Sequence, residues 1–228
     1  MVLIGAVVGA AALYPTVAAT TCPACYGMRR VEANLFVGRE ASDEQRQQVV
    51  DTVAAADQRI RAFYGGRESS PRILACPTED CYQRIGGGRE RGVAVLNRAV
   101  ILSPRGLDPV IAAHEMSHVE LHRRLDSGAT VPQWFDEGLA VVVSDDRRYL
   151  HPRPTGDRCT AQPGGALPQT LNQWLAAANT DERIYARAAC AVHRWIEAND
   201  GPQAVLNLVT RLNSGDEFSA VVPGQTAR

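Results

Sequence analysis

The chain has 228 residues, of which 45% are hydrophobic, and its formal net charge at pH 7 is −1. This length suits one domain, and the hydrophobic content supports a buried core, which excludes a chain that is mainly disordered. The balanced charge contains no block of like sign, so the composition offers no electrostatic footprint for a nucleic acid.

An apolar run at the N-terminus predicts export. Residues 2–13 carry no charged side chain, and Pro15 is followed by Val17-Ala18-Ala19, small residues typical of a signal-peptidase site. The run is short for a membrane span, so residues 1–19 are interpreted as a signal peptide, with an uncleaved N-terminal anchor as the alternative. A buried N-terminal helix is a third interpretation. Residues 20–228 are expected to form a single domain.

The first half of the chain predicts short strands with one long helix among them. Ser42 is a typical helix N-cap, and apolar residues at helical spacing predict a helix that ends at Gly65-Gly66. The last two strands should form a hairpin around Asn97-Arg98. Four strands are expected, at 33–38, 72–76, 93–96 and 99–102.

The second half predicts helices. Asp108 is a good N-cap and Pro109 a good first helical residue, so one helix should run to about residue 125. A second helix should start near Pro132 and run through 143. Three more are expected after a long loop at 145–168, over 171–178, 182–198 and 202–212. Strands followed by helices predict an α+β fold, with a small mixed sheet and then a mainly helical half.

Six cysteines support export, because an even number in an exported chain is typical of disulfides. Fifteen pairings are possible. The spacing suits Cys22 with Cys25, Cys76 with Cys81, and Cys159 with Cys190. The alternative for the first four cysteines is a structural zinc site, since two close pairs are typical of a zinc ribbon.

The segment His114-Glu115-Met116-Ser117-His118 matches the pattern His-Glu-x-x-His. Residues four apart share one helical face, so both imidazoles can reach one metal ion. Glu115 is about 100° round the helix from His114, beside the metal rather than bound to it. Its carboxylate can there take a proton from a water whose pKa zinc lowers to about 7. The alternative is a helix whose two histidines make ordinary polar contacts.

The next helix supplies a third ligand, Glu137. Catalytic zinc needs three protein ligands and one open position, and two histidines with one glutamate are an established set. The eighteen residues between His118 and Glu137 make the spacing resemble that of gluzincin metallopeptidases. Residues 134–140, Trp-Phe-Asp-Glu-Gly-Leu-Ala, resemble the W-x-x-E-G-x-A signature of the peptidase MA-like (minimal gluzincin) domain families. The resemblance implies a zincin-like domain in which His114, His118 and Glu137 hold Zn²⁺.

The resemblance also suggests an oxyanion stabiliser. Tyr185-Ala186-Arg187-Ala188 is similar to the Y-x-K-G segment of the aminopeptidase branch, with Arg in place of Lys and Ala in place of Gly. The alternative is that Tyr185 only anchors its helix to the core. Other candidates for the oxyanion role are Tyr149, His151 and His193. The G-x-M-E-N motif of that branch is absent, which argues against an exopeptidase of the same type.

Two further residues lie close to the ligands in sequence. His122 shares a helical stripe with His114 and His118, but two turns, about 12 Å, separate it from His114. One ion cannot bind all three, so His122 is expected to support the ligands or to pack. The partner that orients the histidines is unassigned, with Asp136 as a candidate.

Together these features predict an exported zinc endopeptidase, secreted, periplasmic or on the cell surface, that cleaves a peptide or protein substrate. An extended peptide could add to an edge strand, either 93–96 or 99–102. The alternative function is a zinc-stabilised binding or scaffolding domain of the cell envelope, catalytically weak or latent. A latent form could place Cys22 or Cys25 on the metal. A third interpretation is an exported protein without metal, held by disulfides.

Overall fold

The computed structural model describes residues 15–154, 156–162 and 164–223 of the chain. Residues 1–14, most of the predicted signal peptide or anchor, lie outside these ranges. Within them, no helix has both the length and the apolar character that crossing a membrane requires. The described residues divide into two compact units, one within Met1–Gln58 and Ser69–Val119, the other within Arg59–Glu68 and Glu120–Arg228. The single domain over 20–228 stays a prediction.

A five-stranded mixed sheet organises the first unit, in the order β1-β2-β3-β5-β4. The three central strands are parallel, and the strand at each edge is antiparallel to its neighbour. The predicted α+β fold with a small mixed sheet is confirmed. The strands are β1 (Met28–Arg30), β2 (Leu35–Gly38), β3 (Arg72–Ala75), β4 (Gly92–Val95) and β5 (Ala99–Leu102).

The core of the first unit includes two short helices, α1 (Pro15–Thr21) and α3 (Glu79–Arg84). Ala19 of α1 is fully buried, and Tyr82 of α3 and Ile85 directly after it are buried in the same apolar cluster as Ile101 of β5. Thr78 caps α3 by accepting a hydrogen bond from the Cys81 backbone N–H at 3.2 Å. These helices therefore fill the space over one part of the sheet with small and aromatic side chains.

Two long helices contribute residues to both units. The first, α2 (Asp43–Tyr64), begins as predicted, because Ser42 and Gln45 cap each other through reciprocal hydrogen bonds of 3.2 and 2.9 Å. It ends before Gly65, whose φ of +70° suits a residue without a side chain. The second is α4 (Pro109–Arg124).

The second unit is helical. Its helices are α5 (Gln133–Ser144), α6 (Leu171–Thr180), α7 (Arg183–Glu197), α8 (Gln203–Asn213) and α9 (Phe218–Val221). Its core is aromatic near α5, where the Phe135 ring lies edge-on to Trp195 and Phe218 at centroid distances of 5.5 and 5.1 Å. The four predicted helices of this unit are confirmed within about two residues at each end.

All six cysteines form disulfides, in the three pairs that the spacing suited. The zinc-ribbon interpretation and the binding of Cys22 or Cys25 to a metal are therefore wrong, because a disulfide sulfur is not a thiolate. Three disulfides are compatible with an exported protein. The Cys159–Cys190 disulfide ties the long loop after α5 to α7.

The structure also corrects the sequence predictions in four places. Residues 77–80 were expected to form a turn, but α3 starts within them. Helix α9 and the edge strand β1 were not predicted, and helix α1 lies where a buried N-terminal helix was only the third interpretation. These elements are seven residues long or shorter, so too few positions repeat to reveal a period.

Candidate functional site

Helix α4 carries the His-Glu-x-x-His segment, and its start is fixed as the sequence predicts. The Asp108 carboxylate accepts a hydrogen bond of 2.7 Å from the Val110 backbone N–H, and Pro109 occupies the first helical position. His114 is half-buried and His118 is 8% exposed. Their ring centroids are 5.0 Å apart, so the helix presents the two imidazoles side by side.

Helix α5 carries Glu137, and backbone hydrogen bonds hold its first turn. The N–H groups of Gln133 and Trp134 have no partner inside the helix, and they donate to the carbonyls of Gln169 and Pro168, both at 3.0 Å. The Gln133 side chain donates from Nε2 to Glu137 Oε1 at 3.2 Å. Glu137 is half-buried. The bond from Gln133, one turn earlier in the same helix, orients its carboxylate.

Glycine at position 138 brings α5 close to α7. A Cβ placed on Gly138 would lie 2.6 Å from the Ala188 carbonyl oxygen and 2.9 Å from Val192 Cγ2. No side chain fits at these distances, so the helix backbones approach more closely here than any other residue would allow. The glycine in the W-x-x-E-G-x-A segment thus has a packing role next to Glu137.

Three of the predicted site residues form a group able to hold a metal ion. His114, His118 and Glu137 each offer one ligand atom, and these three atoms lie within 4.8 Å of one another. The group appears among the described residues and consists of the three residues that the sequence predicted as ligands. His122 is not a member of this group.

Glu115, the predicted general base, is half-buried and lies against the first residue of β4. A Cβ on Gly92 would be 2.8 Å from Glu115 Cγ and 3.2 Å from its Oε1. Glycine therefore lets the Glu115 side chain rest on the strand backbone. Strand β4 is a sheet edge, whereas β5 lies between β3 and β4. The suggestion that residues 99–102 supply an edge is wrong, and β4 is the edge beside Glu115.

The loop before β4 is held by a buried tyrosine. The Tyr82 hydroxyl donates to Glu90 Oε1 at 2.8 Å, and the Gly88 N–H donates to the same oxygen at 2.8 Å. Burial, and then the hydrogen bond to Glu90, raise the pKa of Tyr82 well above its ordinary value, and the negative charge of Glu115 adds to the shift. Tyr82 therefore stays protonated and fixes the entry to the edge strand. Neither Tyr82 nor Glu90 was predicted as part of the site, because their pairing depends on the fold.

Tyr185 lies near the start of α7, as predicted, among aromatic side chains. Its ring stacks on Tyr149 with centroids 5.1 Å apart and meets Trp174 edge-on at 4.9 Å. Tyr185 is half-buried. These contacts fit the anchoring interpretation, and the oxyanion role stays a prediction.

The three other candidates for the oxyanion role lie in surroundings different from those of Tyr185. The Tyr149 hydroxyl donates to Glu182 Oε1 at 2.8 Å, and burial together with this bond raises its pKa. His193 is 4% exposed, and burial lowers its pKa. His151 is exposed, and its backbone N–H donates to the Arg158 carbonyl. None of the three belongs to the metal-binding group found among the described residues.

Comparison with family models, with curated proteins and with solved structures finds no match to this chain. Its function is therefore inferred from the grouped side chains and from what surrounds them.

Proposed function

We propose that the protein is a zinc-dependent metallopeptidase that hydrolyses peptide bonds within a polypeptide substrate. The observation that carries this proposal is the convergence of His114, His118 and Glu137 on the helix-borne pattern that also contains Glu115. Nucleophilic water, a base and a Lewis acid are what metal-assisted hydrolysis requires.

The donor set suits zinc. Two imidazole nitrogens and one carboxylate oxygen form a known three-residue set for catalytic zinc, which keeps a fourth position for water or substrate. The three donor atoms lie within 4.8 Å of one another, so small side-chain movements would let them surround one ion. Calcium and magnesium prefer oxygen ligands, so two imidazoles favour zinc over these ions.

The residues of the chain divide the chemistry among them. A bound zinc ion would polarise the scissile carbonyl and lower the pKa of a coordinated water to about 7. Glu115 would accept the proton of the attacking water at its carboxylate and pass it to the leaving amine. Tyr185 would donate its phenolic O–H to the oxyanion of the tetrahedral intermediate, which is the role that the resemblance suggests.

Strand β4 is the proposed substrate platform. An edge strand offers backbone N–H and C=O groups to an extended peptide, which can add to the sheet through main-chain hydrogen bonds. Glu115 rests on Gly92, the first residue of this strand. A peptide paired with β4 would therefore run past the general base.

The decisive experiment compares wild type with Glu115→Gln. The variant keeps the shape of the side chain and the three ligands but cannot accept a proton, so zinc content should remain at one ion per chain. Cleavage of a peptide library should fall by a factor of about 10²–10⁴. Glu44→Gln, an exposed substitution in α2, is the matched control and should cleave like wild type.

Three outcomes separate the candidate functions. Undiminished cleavage by Glu115→Gln would overturn the mechanism. A wild-type protein that binds zinc but cleaves no library peptide would favour the zinc-stabilised binding or scaffolding domain. A wild-type protein that binds no zinc would leave only the disulfide-held protein without metal. Whether the protein is a peptidase or a zinc-stabilised binding domain, Glu137→Gln should lose zinc, because it removes a charged ligand.

A further inference from the structure

A hydrogen bond connects the helix of the two histidines to the helix of the third ligand. His122 Nε2 and Asp136 Oδ2 are 2.7 Å apart. An ionised carboxylate can only accept, so Nε2 carries the hydrogen and donates it. The Asp136 side chain is 10% exposed and that of His122 is 29% exposed, so the bond is partly shielded from water.

Both partners stand next to ligands in sequence. His122 is one helical turn beyond His118 on α4, and Asp136 directly precedes Glu137 in the first turn of α5. Their hydrogen bond therefore ties the last turn of α4 to the first turn of α5. Neither residue belongs to the metal-binding group found among the described residues.

The segment between these turns contains one hydrogen-bonded turn, from the Ala129 N–H to the Asp126 carbonyl at 3.0 Å, and other parts of the chain hold its two ends. It contains Gly128, whose φ is +99° and whose surroundings are open. At its start, the Asn213 side chain accepts from the Asp126 N–H and donates to the Arg124 carbonyl, both at 2.9 Å. At its end, α5 is fixed to residues 168 and 169. Among these contacts, the bond from His122 to Asp136 is the one that joins α4 to α5 directly.

We propose that His122 and Asp136 are a positioning pair that fixes the first turn of α5 against α4, so that Glu137 is oriented before a metal ion arrives. This inference rests on the proposed binding of zinc but not on peptidase activity. Without the pair, the bonds to residues 168 and 169 still hold the first turn of α5, but the turn is less closely fixed against α4. Its placement must then be completed when the metal binds, and that cost lowers the affinity. Partners of metal ligands typically contribute 10–100-fold to metal affinity.

The test measures zinc affinity by competition with a chromophoric chelator. His122→Ala should bind zinc about 10–100-fold more weakly than wild type. His122→Gln can donate from its own Nε2 and should recover most of this loss. Arg123→Ala removes an exposed side chain next to His122 on the same helix and should leave the affinity unchanged.

A second measurement excludes a merely structural role. The metal-free forms of wild type and His122→Ala are melted, and affinities are compared at a temperature where both are folded. Cobalt(II), bound in place of zinc, reports ligand geometry through its visible absorption, and its spectrum should change in His122→Ala and return in His122→Gln.

The outcomes separate this inference from the proposed function. Wild-type zinc affinity in His122→Ala, with or without a lower melting temperature, would overturn the positioning role alone. Equal weakening in His122→Ala and His122→Gln would also overturn it, since the hydrogen bond would then not be the cause. If wild type binds no zinc, the proposed function fails first. Zinc binding without peptidase activity would leave the positioning pair standing.

Discussion

Replacing Gly138 with alanine tests whether the close packing of α5 on α7 stabilises the second unit. The added Cβ would lie 2.6 Å from the Ala188 carbonyl oxygen, 2.7 Å from its carbonyl carbon and 2.9 Å from Val192 Cγ2. Two of these atoms belong to the backbone and cannot rotate away, so α5 must move off α7. Overpacking of this kind costs about 1–3 kcal/mol, and three contacts this short favour the upper end.

An opposing effect has to be subtracted. Alanine is favoured over glycine within a helix by about 1 kcal/mol. Taking about 3 kcal/mol for overpacking, the net loss in the free energy of unfolding is about 2 kcal/mol, which corresponds to a melting temperature lower by about 4–8 °C. Because Glu137 adjoins the substituted residue, zinc affinity should fall as well.

The assay is thermal unfolding of the metal-free protein followed by circular dichroism, with zinc affinity measured separately. Gly156→Ala is the matched control, because nothing lies within 4 Å of a Cβ at that position. The control should be within about 0.5 kcal/mol of wild type. A Gly138→Ala protein as stable as wild type would refute the packing argument.

Three more predictions concern the second unit. Tyr185→Phe should lower kcat about 10²–10³-fold with zinc binding intact, if the phenol stabilises the oxyanion; a wild-type kcat would leave Tyr185 as an anchor. Burial lowers the pKa of His193 below its ordinary 6.5, so the unfolded chain binds more protons there and stability is lost as the pH falls below that value. His193→Gln should therefore flatten the melting temperature between about pH 7 and pH 5, and an unchanged slope would contradict this assignment. Joint replacement of Cys159 and Cys190 by alanine should reduce the free energy of unfolding by about 3–4 kcal/mol, from the 31-residue separation that the disulfide closes. Equal urea midpoints for the two proteins would show that the loop is held by its other contacts.

The parts of the fold that sequence could predict are those set by neighbours along the chain. Asp108 and Pro109 mark the start of α4 because capping and a fixed φ act within a few residues. The same holds for Ser42 and the start of α2. The α5 start near Pro132 was also local information. These signals need no knowledge of what the helix packs against.

The missed elements needed distant partners or were too short to show a period. Strand β1 has one buried residue, Met28, and exists because it pairs with β2. Helix α3 had a local signal in Thr78 followed by two acidic residues, but the flanking cysteines suggested a turn. Residues 15–19 have the composition of a signal peptide, and the same small apolar residues also suit the buried side of α1. Composition alone does not separate burial in a protein core from passage into a membrane.

The residues of the candidate site also fall into two groups, those placed by local helical geometry and those placed by contacts distant in sequence. The two histidines and Glu115 lie on one helix, so helical geometry alone places them together. The position of Glu137 depends on contacts that no spacing reveals: Gly138 against α7, Gln133 on its carboxylate, and His122 on the preceding Asp136. The role of Gly92 could not be predicted for the same reason. A side chain at position 92 would collide with Glu115, which lies 23 positions later in the chain. A short motif therefore identifies the candidate donors. Glycines that permit close approach, and one hydrogen-bonded pair, determine how these side chains are positioned.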